Sequence, residues 1–376
     1  MYQNKPEKPI TRKDFLKLLS AVGGSILVAP ILNACQRLGL IEPTATSQPT
    51  TISIIPSNTV EAIPTNTAVA VETLDEGFAR VAFVKTRDRA AGVRKAIELL
   101  GINPVQGKQV LLKPNFNSAD PAPASTHPTT LRTLIEALQD MGAGNITLAD
   151  RSGMGHSRQV MQVTGLLDMA SELGFETLSF EDLQSEADWE IIHFEGSHWQ
   201  NGFPFARPAL DAEAVVQTCC LKPHRFGGHF TLSLKNAIGM VGKHNGGGGY
   251  NYMNELHSSP NQRLMIAEAN LAYTPALIIL DGVEAFIDNG PDTGTKVWGD
   301  VMIAGTDRVA IDAVGLALLR FLGYQGVAAK GSIFQQEQIA RAVELGLGID
   351  SPEKIRFITA DAPSEAYIDQ LLGFLI

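Results

Sequence analysis

From Arg80 onward, short apolar runs of strand length alternate with longer stretches of helical periodicity, and most of the apolar runs end in polar residues. Such alternation constrains the fold to an α/β class: a mainly parallel sheet flanked by helices, because each parallel strand pair needs a crossover helix to cover a sheet face. The strand-like runs are Val81–Val84, Gln109–Leu112, Asn145–Ala149, Thr177–Phe180, an edge candidate Glu190–Phe194, Ala214–Leu221, Leu277–Leu280, Val301–Ala304 and Lys354–Ile358. Between them fall the predicted helices Ala90–Leu100, Thr129–Met141 opened by Pro128, Gln159–Leu173, Gln262–Ala272, Arg308–Leu322 and Phe334–Leu345. With 376 residues and 44% hydrophobic content, the chain can build one large domain or two smaller subdomains.

The first 34 residues have a different logic. A basic start (Lys5, Lys8, Arg12, Lys13, Lys17) precedes an apolar run from Leu18 to Leu32 that ends in small residues and is short for a bilayer span. Leu32-Asn33-Ala34-Cys35 reads as a lipobox with Cys35 as the lipidated residue, and Thr11–Lys17 reads as a twin-arginine-like signal with lysine at the second arginine position. An uncleaved N-terminal anchor is the alternative. From residue 35 to 76 the composition turns to Thr, Pro and Ser, with no Lys or Arg between Leu38 and Ala79. Too little apolar surface is available there to offset chain entropy, so a disordered tether is expected, followed by an α/β domain over 77–376. The expected location is outside the cytoplasm, lipid-anchored on the outer face of the cytoplasmic membrane or within the periplasm, with the membrane reached through Cys35.

At a net charge of −10 the chain lacks the basic stripe that nucleic-acid binding requires. Its cations are concentrated instead. Between Lys222 and His257 lie three lysines, four of the eight histidines and the run Gly246–Gly249. In parallel sheets ligands collect at the carboxyl ends of strands, and here those ends carry Lys113-Pro114-Asn115, Asp150, Lys222-Pro223-His224 and Asp281. Lys113, Lys222 and Lys235 would neutralise a small anionic ligand, Asn115 and Asn236 would orient it, and Asp150 and His244 complete the binding set. His224 is the candidate general acid/base, with Asp281 orienting it or holding a metal. His224 and His229 are the metal candidates, although the histidine spacing matches no familiar zinc pattern. Ordinary strand-to-loop turns and a solvated flexible loop are the plain alternatives for these same residues. Three cysteines, Cys35, Cys219 and Cys220, are too few for a disulfide framework or a four-cysteine cluster.

Lys113-Pro114-Asn115, Lys222-x-His224, Ser233-Leu234-Lys235-Asn236, Asp281-Gly282, Gly290-Pro291 and the Asp307-to-Asp312 segment, in that order, resemble the domain-of-unknown-function 362 (DUF362) family over about residues 81–322. Many relatives in that family are associated with ferredoxin-type clusters, and the resemblance would imply electron transfer. This chain lacks the cysteines, so no iron–sulfur cluster is expected and the cofactor is left open. Lys222-Pro223-His224 with its glycines is also distantly similar to the nickel-pincer lactate racemase group, in which lysine and histidines hold a cofactor; none is carried over from that likeness. Three functional classes follow: an enzyme acting on a small anion, a non-catalytic ligand-capturing lipoprotein, and a redox or metal-cofactor protein.

Overall fold

A computed structural model of the chain describes residues 77–376. The export signal, Cys35 with its lipobox, and the Thr/Pro/Ser tether lie outside the described residues. Twelve strands are present among those described: β1 (Ala79–Lys85), β2 (Val110–Lys113), β3 (Ile146–Asp150), β4 (Glu176–Ser179), β5 (Trp189–Ile192), β6 (Phe203–Ala206), β7 (Ala214–Leu221), β8 (Pro223–His224), β9 (His229–Phe230), β10 (Pro275–Phe286), β11 (Lys296–Gly305) and β12 (Ile355–Ile358). Eight of them form the central sheet in the order β12-β1-β11-β10-β7-β2-β3-β4, while β5–β6 and β8–β9 are separate two-stranded ribbons. Every neighbouring pair in the central sheet is parallel except the two made by β11, which returns from β10 as a hairpin and lies antiparallel to β10 and β1.

Both faces of this sheet are covered, which is why its middle strands are apolar without interruption. Every residue of Ala214–Leu221 is buried. Its alternate side chains feed opposite cores: Val216 joins one with Leu112 and Ile279, and Cys219 and Leu221 join the other with Ile278 and Leu280. The first core packs under the helices Arg89–Leu100 and Pro128–Asp140, and the second under Arg308–Phe321 and Ala362–Leu375. A third core fills the space between the β5–β6 ribbon and the helices Tyr252–Ser258 and Gln262–Glu268. No helix among the described residues is long and apolar enough to cross a membrane.

Local chemistry places the helices. Pro128 stands at the first turn, where its missing N–H is no loss, and the His127 ring accepts from Thr129 N at 3.1 Å. Asp307 caps Arg308–Phe321 by accepting from Ala310 N at 2.8 Å, and also takes Ile349 N at 2.8 Å. The predicted helix Gln159–Leu173 is instead two, Ser157–Val163 and Leu166–Leu173. Gly165 at φ +73° breaks it, a conformation glycine adopts at little cost.

Asp281 departs from the sequence reading. It does not end a strand: β10 runs on to Phe286 through an irregularity between Gly282 and Glu284. Its carboxylate turns to the helical face and accepts from Arg89 Nε at 2.8 Å, Thr130 Oγ1 at 2.6 Å and Val283 N at 3.1 Å. No hydrogen bond joins it to His224, so it neither orients that ring nor sits free for a metal. Asp281 instead ties two helices to the sheet. Replacing Asp281 with Ala is expected to lower stability by about 3 kcal/mol, the low end for a broken buried pair because Arg89 keeps Glu284 at 2.9 Å. Urea denaturation reads this directly, and an undiminished midpoint would remove the structural role.

Candidate functional site

At the carboxyl edge of the parallel strands a cavity of about 650 Å³ opens, lined by residues from three strand ends and the segments that follow them. Lys113, Asn115, Asp150, Lys222, His224, Lys235 and Asn236 all line it, so seven of the residues named from sequence share one space. Asp281, His244 and His229 are not among its walls. His244 is spent on the neighbouring loop, its Nδ1 2.9 Å from Tyr250 O. The glycine run is likewise outside: a Cβ on Gly246 or Gly247 would collide with Ser185 or Glu186, against which that segment is seated.

The polar lining divides into two groups. One is a continuous buried network. Lys222 Nζ donates to Asn115 Oδ1 at 3.1 Å, to Pro291 O at 3.1 Å and to Ala124 O. Asn115 Nδ2 reaches Asn236 Oδ1 at 3.4 Å, and Lys113 Nζ donates to the same oxygen at 3.2 Å and to Pro114 O at 2.6 Å. Lys113 also pairs with Asp150 Oδ1 at 2.7 Å. The other oxygen of Asp150 takes Phe116 N at 2.8 Å. Asn236 Nδ2 meanwhile reads the sheet itself, at 3.2 Å from both Gln217 Oε1 and Thr218 O. These five side chains satisfy one another and fix the loops after β2, β3 and β7.

The second group has polar atoms to spare. Lys235 is 9% exposed and makes no hydrogen bond or ion pair with any described residue. His224 is 8% exposed, and its Nδ1 is enclosed without a partner. Both flank Gly228, where a Cβ would stand 3.0 Å from Lys235 Cε and 3.1 Å from His224 Nδ1. Arg151, directly after Asp150, spends Nε on Val241 O at 3.0 Å and Nη2 on Ile238 O at 3.1 Å, leaving Nη1 unbonded. Sequence reading missed Arg151 as a cavity cation, although its place one residue past a strand-end aspartate was the available signal. It noted Lys243 and His257 only as members of the lysine–histidine cluster and left out Met253, all three coming from loops and a short helix with no strand to mark them.

Electrostatics follow from burial. The Lys235 amine is pushed down to about 8, first by loss of water and then by the neighbouring charges of Arg151 and Lys222. Burial likewise brings Lys222 to about 8. Lys113 is lowered by burial, with Asp150 opposing the shift. Burial and the charges of Lys235 and Lys222 hold the His224 ring well below the usual imidazole range, so it is neutral. Arg151 is also lowered by burial. A cavity with this many cations against Asp150 and Glu181 is a place of positive potential in an acidic protein.

The segment carrying Lys235 is held from behind. Asp312, buried in Arg308–Phe321, accepts from Ser233 N at 2.7 Å and Leu234 N at 3.3 Å, covering the first amides of the short helix Leu232–Asn236. Gly239 lets the same segment close on the network, since a Cβ there would lie 2.5 Å from Asp150 Oδ1 and 2.6 Å from Lys113 Nζ.

As for metals, no group of three or more His, Cys, Asp or Glu side chains among the described residues is arranged to hold an ion. His224 and His229 are paired directly across the β8–β9 ribbon, and both line a second cavity of about 630 Å³. Cys219 and Cys220 are buried thiols, the latter pushed up to about 11 by burial. Among the described residues, the groups free to hold an anionic ligand or cofactor include the buried Lys235, Arg151 Nη1 and the His224 ring, with the exposed Lys243 at the margin.

A family model described as domain of unknown function (DUF362) matches residues 110–317, more than half of the chain and all of this site. A thylakoid-associated protein of Synechocystis sp. is 27% identical over 232 residues, covering 60% of this chain and 68% of that protein. Among solved structures, the lactate racemase apoprotein from Thermoanaerobacterium thermosaccharolyticum aligns at 13% identity and a TM-score of 0.37, over 79% of this chain and 86% of that one.

Two substitutions separate the groups. Asn236→Ala orphans buried partners and is expected to cost about 1–3 kcal/mol. Lys235→Met removes a buried cation with no counter-charge. The lysine's fall from 10.5 to about 8 sets that cost on the order of 3 kcal/mol, so the variant should be more stable at pH 7. The sign follows from proton counting. Between pH 8 and 10.5 the unfolded chain holds the Lys235 proton and the folded chain does not, so wild-type stability rises across that window. In Lys235→Met the rise should shrink, and chemical denaturation at pH 7, 8.5 and 10 checks it.

Proposed function

The chain belongs to the domain-of-unknown-function 362 family, and we propose that its α/β domain is an enzyme acting on a small anionic molecule bound in the cavity at the strand ends. The observation that carries this reading is the pair Lys235 and His224, two buried polar side chains that make no hydrogen bond with any described residue and border the same glycine. Buried polar groups are nearly always satisfied, and a buried cation without an acceptor is costly enough that a ligand is the natural partner. Lys235 and Arg151 supply charge to the anion. Lys113, Lys222, Asn115, Asn236 and Asp150 position the walls and contribute background potential without giving up their own bonds.

His224 is the acid/base group of this reading. As a neutral imidazole it accepts a proton from a bound molecule; burial is the main reason the ring is unprotonated, and an anion beside Lys235 offsets the part that the neighbouring cations add. A non-catalytic ligand-capturing protein would use the same cations but has no need of an enclosed, unpartnered ring nitrogen; that nitrogen favours the enzyme.

We further propose export and lipid anchoring through Cys35, resting on the basic start, the apolar run and the lipobox. The 35–76 segment then spaces the domain from a membrane surface.

Calorimetric titration with inorganic phosphate, sulfate and short mono- and dicarboxylates tests the cavity. Affinity should fall as pH rises through about 8, where Lys235 loses its proton. Lys235→Met should weaken binding on the order of tenfold or more, the worth of one charge-assisted contact. His224→Gln should keep binding within a few-fold while abolishing turnover of whichever substrate a metabolite panel reveals. Binding indifferent to both pH and Lys235 would sink the reading.

A further inference from the structure

Three lysines line the cavity within the buried shell, and they are not equivalent. Lys113 and Lys222 have acceptors around their ammonium groups. Lys235 has none among the described residues, yet it is nine-tenths buried, and its side chain and the unpartnered His224 Nδ1 both border Gly228. The Leu232–Asn236 helix that bears it is pinned at its start by Asp312 and at its end by Asn236, which fixes the lysine's root. Arg151 lines the same cavity, near enough for its charge to act on Lys235, and its Nη1 makes no hydrogen bond to a described residue.

We propose that Lys235 is a covalent nucleophile, forming an imine with the carbonyl carbon of a small 2-oxo acid whose carboxylate is held by Arg151. This inference rests on the anion-binding reading of the cavity and names the class of anion. A desolvated lysine beside other cations is the environment in which an amine becomes available near neutral pH, and burial has brought this one to about 8. An exposed lysine stays almost wholly protonated there.

The step balances with solvent as the proton carrier. The Lys235 ammonium releases one proton to solvent, leaving a free amine. The amine adds to the carbonyl carbon, the carbon–oxygen π electrons move to oxygen, and a proton passes from nitrogen to that oxygen, giving a carbinolamine. The nitrogen lone pair then expels the hydroxyl, which takes up one proton from solvent and leaves as water. Of the three ammonium hydrogens, one goes to solvent, one departs in the water formed and one stays on the protonated imine. No oxidant or co-reactant is needed.

The test is reductive trapping of the full-length protein with pyruvate and cyanoborohydride, followed by peptide mass mapping. The expected product is a gain of one pyruvate plus two hydrogens less one water on the peptide holding Lys235. It should form about two orders of magnitude faster than on exposed lysines, from the difference in free-amine fraction. Lys235→Arg, which keeps the charge, should still bind propanoate in calorimetry but give no adduct, and Arg151→Gln should slow trapping by pyruvate more than trapping by acetaldehyde. Carboxylate binding in the wild type without a Lys235 adduct, or adducts spread evenly over exposed lysines, would overturn the imine and leave the cavity reading standing. If no small anion binds at all, the cavity reading falls and the imine with it.

Discussion

The unbroken run of hydrogen bonds from Lys222 through Asn115 and Asn236 to Lys113 and Asp150 is the constraint on which the site depends. It crosses the ends of β7, β2 and β3, and each member would be destabilising by itself. A buried lysine ammonium costs several kcal/mol, and only one carboxylate in the set offsets two of them. Amide side chains make up the difference: Asn115 and Asn236 each accept from a lysine and donate onward. Because Asn236 also bonds the β7 backbone, the network is referenced to the sheet and not to mobile loops. The loops inherit the sheet's rigidity through it.

That rigidity is reinforced from the opposite side. Asp312 reaches from the core helix Arg308–Phe321 to the amides at the start of Leu232–Asn236, and burial pushes its carboxyl well above the usual range. Leu232 at φ +60° and Gly315 close beneath it show how tightly the short helix is seated on that core helix. Glycines then set the clearances at the cavity itself. Gly239 leaves room for the Lys113–Asp150 pair, and Gly228 leaves room for Lys235 and His224. Cation position in this cavity is therefore decided largely by residues that carry no charge.

How much of this was legible in the sequence depends on the physical signal each part leaves. Strands buried on both faces leave long apolar runs, so Ala214–Leu221, the β2 and β3 segments and their polar ends were readable, and with them the meeting of Lys113, Asp150 and Lys222. Asp281 shared the same apolar-run-then-polar signature but belongs to β10, which continues into a hairpin with β11; nothing local distinguishes a polar residue that ends a strand from one that interrupts it. His244 drew notice through its glycine neighbours, yet glycines mark close approach of any kind, here against Ser185 and Glu186. The helices Tyr252–Ser258 and Ala362–Leu375 and the strand β6 went unread, the first two lying beside glycine- or proline-bearing stretches and the third holding Pro204. Which lysine is satisfied and which is not is a property of tertiary contacts alone. Sequence can place Lys113, Lys222 and Lys235 near one another but cannot rank them.

That ranking is where the chemistry lies. Lys222 and Lys235 are both brought to about 8 by burial, yet the same number describes two different situations. Lys222 has three hydrogens and three acceptors, so its proton is held by geometry and its loss would leave one of Asn115 Oδ1, Ala124 O and Pro291 O without a donor. Lys235 has three hydrogens and no acceptor among the described residues, so deprotonation breaks no bond to them and relieves repulsion from Arg151 and Lys222. Proton loss is therefore opposed at Lys222 and unopposed at Lys235. An anion entering the cavity meets a lysine whose charge is waiting for a partner, and a carbonyl entering it meets an amine that can shed a proton without disturbing the frame around it.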